Sequence, residues 1–348
     1  MKDDLRMLPT AIGSLPYQDI GKASKVILEN FKEIPVCYQL PKFSFYENMY
    51  VQYSEKLPCL VLDLDKERIY FDLSKDYYQE LERFYQAFLE KDADYFALTS
   101  KYSIGFHTVL DKLRNSKSLS RYVKTQITGP VSFGLTVTDQ NKKAIYYHQE
   151  IFAAIVKGLG MKGYWQAKKI KEEGYIPLIF IDEPYFTAIG SAYTSINKEE
   201  VIKNLNEIID LIKEVDGIVG VHCCGNTDWS ILCKSKVDLI SFDAYNYLEN
   251  FSLFKEDLVS FLDQGGYLAY GIIPSSSEAI KEDPESLTTK LEKSIAKLFQ
   301  MGILNNETKD HFIVTPSCGV GSLEEDLAEK VLWLTKEVSK MIKERKIR

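Results

Sequence analysis

Short apolar runs bounded by turn residues recur along this chain, with helix-patterned stretches between most of them. That alternation restricts the available folds more than any other feature. The runs fall at 8–14 (LPTAIGS), 34–38 (IPVCY), 122–128 (YVKTQIT), 176–182 (IPLIFID), 217–224 (GIVGVHCC), 237–243 (VDLISFD), 266–273 (GYLAYGII) and 311–316 (HFIVTP). Their length suits buried strands, whereas 196–215 and 283–301 carry apolar residues at three- and four-residue spacing and read as helices. Strands alternating with helices make a parallel sheet, because each return crossing needs a connection of helix length. Eight such units fit a closed (β/α)8 or TIM barrel, and the expectation is one α/β domain of that type over 1–348.

One connection breaks the rhythm. The stretch from 38 to 122 is too long for a plain loop and should carry structure of its own. Within it, CLVLDLDKERIYFDL has two alternating runs around Asp65-Lys66-Glu67-Arg68, which reads as a β-hairpin. DYYQELERFYQAFLEKD follows as a helix. We expect an insertion at about 54–118, packed on the barrel. The last residues, EEDLAEKVLWLTKEVSKMIKERKIR, read as an amphipathic helix.

Composition excludes several classes. The 43 basic and 50 acidic residues leave a net charge of −7 without a basic block, so nucleic acid is not expected as a partner. No apolar stretch approaches the ~20 residues that span a bilayer, so no membrane segment is expected. Met1–Ile20 lacks the apolar core of a secretory signal, and six cysteines are too sparse for a disulfide framework. A cytoplasmic, reducing setting is the expectation, where cysteines gathered with histidine suggest metal or thiol chemistry.

A barrel of this type collects its chemistry where strands end and the following loops begin. Each candidate can be judged by that placement. His222-Cys223-Cys224 closes the fifth run, and strand alternation puts His222 and Cys224 on one face with Cys223 on the other. Cys318 follows the last run in Thr315-Pro316-Ser317-Cys318. Two thiolates and an imidazole suit Zn²⁺ and leave a fourth position for a substrate. A substrate thiol bound there loses its proton yet stays nucleophilic. Cys37, Cys59, Cys223 and Cys233 read as bystanders.

Asp243 ends the sixth run, either as a fourth, oxygen ligand or as the acid that holds the His222 imidazole. Asp182-Glu183 ends the fourth run; one of the two should face the mouth, to hold an ammonium group or act as a base, while a bond to a neighbouring loop or helix is the plainer role. Ile12-Gly13-Ser14 ends the first run, where an amide and a hydroxyl suit a carboxylate. Pro274-Ser275-Ser276-Ser277-Glu278 reads as a helix start with a serine cap. The aromatic stretch from Phe43 to Tyr53 reads either as pocket lining or as core beneath the hairpin, and His107, His148 and His311 as structural or exposed.

Taken in order, IGSLP at 12–16, TGPVSFG at 128–134, IDEP at 181–184, HCC at 222–224 within GVHCCGN, ISFD at 240–243 and PSCG at 316–319 resemble one family. It is the C-terminal catalytic barrel of cobalamin-independent methionine synthase, in the wider group that holds uroporphyrinogen decarboxylase and the zinc-dependent coenzyme M methyltransferases. The resemblance implies zinc held by His222, Cys224, Asp243 and Cys318, with aspartate at 243 where the family usually has glutamate. It implies Asp182 on the amino group of homocysteine and Ile12 and Ser14 at its carboxylate. The family's glycine-glutamate motif has no clear counterpart, Glu47 being nearest in order. The sequence does not include the N-terminal barrel with which the full-length enzymes help bind folate. In that respect it resembles the short core methionine synthases, which take methyl from a corrinoid protein. The expected activity is zinc-dependent methyl transfer from a corrinoid protein, or from methyl-folate, to a thiol, homocysteine first. Transfer to another thiol such as coenzyme M, or a non-catalytic zinc- or thiol-binding role, are the alternatives.

Overall fold

In the computed structural model, which describes residues 5–116, 120–189 and 196–347, the apolar runs pair as the alternation requires. β1 (Leu60–Asp63) and β2 (Arg68–Phe71) form the expected antiparallel hairpin, with Leu60 opposite Phe71 and Asp63 opposite Arg68. β3 (Tyr122–Thr128) belongs to the main sheet, and the short β4 (Thr138–Asp139) pairs with the hairpin through β2. β5 (Ile176–Asp182), β6 (Ile218–Cys223), β7 (Leu239–Phe242), β8 (Tyr267–Ile273) and β9 (Phe312–Pro316) follow β3 in one six-stranded sheet. All its neighbours are parallel and in chain order. Helices cross between them, including Gln149–Glu172, Lys198–Lys213 and Pro284–Gln300.

Buried on both faces, these strands are mostly apolar, with polar exceptions such as Lys124, Gln126, His222 and Ser241 on one face. Alternation sorts their side chains into two cores. Leu178, Phe180, Ile218, Leu239 and Tyr267 pack together on one face. Ile179, Ile181, Val219 and Ile240 face the other way, into the larger core under the helices. Tyr122 on one edge strand and Ile313 on the opposite edge strand share the first, small cluster, so the sheet curls around it.

The first two runs lie between those edges as isolated parallel bridges, where regular strands were expected. Pro9 bridges to Val314 on β9, Ser14 to Gln39, and Val36 to Lys124 on β3. Thr10 N–H donates to Val314 O at 3.0 Å, Leu15 N–H to Gln39 O at 2.9 Å, and Cys37 N–H to Lys124 O at 2.8 Å. Proline explains the interruption, since Pro9 and Pro35 bring no N–H to a ladder.

After the hairpin the helix Tyr78–Leu89 forms as expected, and a further helix, Ile104–Arg114, follows. The expected far boundary of this segment, near 118, lies outside the described residues. Among those residues no helix is long and apolar enough to cross a membrane.

Candidate metal centre

Register builds the site. Asp182 on β5 pairs with His222 on β6, and His222 pairs with Ser241 on β7, so three polar side chains form one row at the ends of adjacent strands. The His222 ring is buried, with Nδ1 at 2.9 Å from Ser241 Oγ. Its Nε2 is buried with no hydrogen-bond partner. An orphaned buried nitrogen costs free energy unless something binds it.

The candidate ligand atoms of His222, Cys224 and Cys318 all lie within 4.8 Å of one another. Cys318 arrives on the turn after β9, which wraps Ser14: Val320 N–H donates to Ser14 O at 3.0 Å and Gly321 N–H to Ser14 Oγ at 3.4 Å. The approach needs glycine at 319, where a Cβ would lie 2.2 Å from Ser14 Oγ. The two sulfurs behave as one unit. Its contact with the Cys318 thiol, and then with the His222 imidazole, draws Cys224 well below the usual thiol range, while that same contact and burial push Cys318 up. The pair thus gives up its first proton more readily than its second.

Of the two adjacent acids, Asp182 faces the site and Glu183 faces away. Asp182 Oδ1 is buried without a partner, and burial lifts the carboxyl to about 6 against the pull of His222 and Lys124. Glu183 instead serves the helix Pro130–Thr136, accepting from Val131 N–H at 3.0 Å, Ser132 N–H at 2.8 Å and the Ser132 hydroxyl at 2.6 Å. Burial pushes it to about 7, these bonds pulling the other way.

Asp243 is not part of the group of three. It stands just past β7, where it caps the helix Ala244–Ser252, accepting from Asn246 N–H at 2.9 Å and Asn246 Nδ2 at 2.8 Å. The imidazole partner is therefore Ser241, two residues earlier and on the inward face, while Asp243, for which that was one of two expected roles, is engaged with Asn246.

A cavity of about 480 Å³ opens onto the trio, with Ile12 and Ser14 on its wall and Asp182 beside them. The aromatic stretch divides between its two readings. Glu47, Asn48 and Met49 line the cavity, while Val51 and Tyr53 are core. Glu47 is buried, accepts from Leu40 N–H at 3.0 Å and Ile104 N–H at 2.7 Å, and is pushed by burial to about 7.

Two functional candidates escaped the sequence reading. Ser241 is one. The other is Lys124, fully buried in the middle of β3, which donates to the carbonyl of Ile12 and lies 3.4 Å from Gln126 Oε1. Burial lowers it to about 8, against the attraction of Asp182. A lysine inside an otherwise uncharged strand run was the available signal.

The donor set fits Zn²⁺. It offers two sulfurs, one of them ionising readily, and an imidazole whose Nδ1 is already held, leaving Nε2 for a metal.

No family model matches the chain. In sequence it is similar to the methionine synthase of Methanocaldococcus jannaschii, 25% identical over 226 residues, which cover 64% of this chain and 65% of that protein. The match thus spans somewhat under two thirds of the curated relative. In structure it is similar to a B12-independent methionine synthase from Shewanella sp. W3-18-1 in complex with selenomethionine, at a TM-score of 0.55 and 15% identity, over 98% of this chain and 99% of that one. At that identity the second likeness speaks for the fold.

Proposed function

We propose that this methionine synthase-like chain is a zinc-dependent thiol methyltransferase, with homocysteine as the acceptor and methionine as the product. The observation that carries the reading is the convergence of His222, Cys224 and Cys318 beside a cavity, with an orphaned imidazole nitrogen among them. Zinc held there would lower the pKa of an incoming thiol and fix its sulfur for attack on a methyl group. The remaining work falls to the chain. Ser241 holds the imidazole in one orientation, and Asp182, with a buried oxygen that has no partner, accepts the substrate ammonium. Ile12 and Ser14 receive the carboxylate, and Lys124 holds the Ile12 carbonyl in place from below. Orientation of this sort removes entropy from the barrier. Asp243 would reach the metal only by giving up Asn246.

On this reading the two bridged segments serve as the first and second strands of a (β/α)8 barrel, the chain is one domain, and the hairpin segment is its insertion. The methyl donor is a corrinoid protein, with methyl-folate second, in the reducing cytoplasm that keeps the sulfurs free.

Metal analysis of wild type and Cys318→Ala, followed by methyl transfer from methylcobalamin and methyl-folate to homocysteine and coenzyme M, tests this reading. Stoichiometric zinc in wild type, its loss in Cys318→Ala and transfer to homocysteine are expected. Full zinc in Cys318→Ala would sink the trio. Transfer to coenzyme M alone would move the acceptor, and zinc without transfer to any thiol would leave a binding protein.

A further inference from the structure

The turn that carries Cys318 is held by a side chain from the neighbouring loop. Between β8 and β9 the register passes from Gly271 opposite Thr315 to Ile273 opposite Pro316, so β8 spends one extra residue there. Glycine permits it: a Cβ at 271 would lie 2.5 Å from Phe242 O and 2.8 Å from Ser317 Cα. Beyond the bulge the two chains are strapped together. Ser317 N–H donates to Ile273 O at 2.8 Å, and Ser275 N–H donates to Ser317 Oγ at 3.0 Å. The Ser275 hydroxyl then donates to Cys318 O at 2.8 Å and accepts from Cys318 N–H at 3.0 Å.

One hydroxyl therefore binds both backbone polar groups of Cys318, at a point where β9 has ended and no ladder is left to hold them. The serine cap expected in this segment is supplied by its neighbour. Ser276 precedes the short helix Ser277–Lys281 and its side chain accepts from Glu278 N–H at 3.3 Å. Ser275 is left without a capping duty.

We propose that Ser275 is a positioning residue for Cys318: its hydroxyl fixes the Cys318 backbone so that the sulfur completes the trio with His222 and Cys224. The inference rests on the metal reading above. Groups that orient metal ligands typically change affinity by about 10–100-fold when removed. Ser275 acts on the ligand's backbone in the same manner.

The test uses the full chain, with zinc affinity measured by chelator competition and the thiolate-to-cobalt charge-transfer band measured on cobalt-loaded protein. Ser275→Ala should weaken zinc by about 10–100-fold and reduce that band toward the Cys318→Ala level, while Ser275→Thr restores both. Ser275→Val is the control of matched shape, since it differs from Ser275→Thr in the hydroxyl alone and keeps the test intact if the alanine variant fails to fold. Equal affinity and equal band intensity in the Thr and Val variants would overturn the proposal. Wild-type protein that takes up neither metal sinks the metal reading separately. The role of Ser275 is then read from the rate at which iodoacetamide labels Cys318 in the metal-free chain, mapped by mass spectrometry. A rate altered in Ser275→Val and normal in Ser275→Thr retains it; one rate in both variants rejects it.

Discussion

The inward face of the curled sheet has a floor and a mouth built from the same strands, and they obey opposite rules. On the floor, Tyr122, Leu178, Ile218, Leu239 and Ile313 fill one apolar cluster. A few residues further along, the same alternating positions hold Lys124, Gln126, Asp182, His222, Ser241 and Thr315, all buried. The floor packs apolar and aromatic side chains against one another, whereas the mouth buries polar ones, and Asp182, His222 and Thr315 there each keep a buried polar atom without a hydrogen-bond partner. The lesson is that burial stabilises at one end and is spent on preorganisation at the other.

The largest expected effect is on function with the fold intact. His222→Ala should abolish stoichiometric zinc binding and methyl transfer, yet leave the melting temperature of metal-free protein close to wild type, because the loss of the Ser241 hydrogen bond is offset by removal of an unsatisfied buried nitrogen beside an open cavity. Zinc content and calorimetry on the same sample decide it. A large drop in metal-free stability would mean that the mouth also bears the fold.

Leu239→Ala reverses the pattern. Its side chain is fully buried in the floor cluster, so the substitution should cost about 2–5 kcal/mol in denaturant unfolding. Zinc stoichiometry of the folded fraction should not change. Loss of zinc from protein that is still folded would dissolve the distinction between floor and mouth.

Much of this division was legible in the sequence. Six of the eight runs became strands of the sheet, and His222, Cys224 and Cys318 were recognisable because one stands at a strand end and the other two just beyond one. The first two runs were misjudged in regularity because Pro9 and Pro35 interrupt pairing without preventing close approach. Ser241 and Lys124 were missed for a different reason. A polar residue in a buried run has meaning only once its face is known, and His222 fixes that face for β7 only through cross-strand register. Ser275 left no local signal at all, since its partner is 43 residues away on another loop.

The paired acids show how pH tests the same division within one dipeptide. Glu183 faces away from the mouth, and burial raises it from 4.5 to about 7. The native state thus holds a proton that the unfolded chain has released between those values. By linkage, stability is lost as pH rises through that window, by roughly 3 kcal/mol for the whole interval. Glu183→Gln should remove this component of the slope. It should also be less stable at low pH, since an amide cannot accept from both Val131 and Ser132. Parallel unfolding curves for the two proteins from pH 4.5 to 7 would reject the assignment.

The smallest effect is the most discriminating at the rim. Asp243 sits at the same level as the sulfurs' strand ends, but its carboxylate is occupied by the backbone and side chain of Asn246 at the start of a helix. If capping is its main duty, Asp243→Ala should cost about 1 kcal/mol of stability, the ordinary value of such a cap. Asp243→Asn should recover most of that loss, since an amide oxygen caps as well. Zinc affinity separates the two roles. A capping residue leaves it far closer to wild type than Cys318→Ala does, in both variants. A ligand loses affinity in Asp243→Asn as well as in Asp243→Ala, because the amide oxygen keeps the hydrogen bond but gives up the charge that a zinc ion would share. Affinity lost in both variants while Asp243→Asn keeps its stability would show that the carboxylate leaves Asn246 for the metal, extending the mouth past the end of β7.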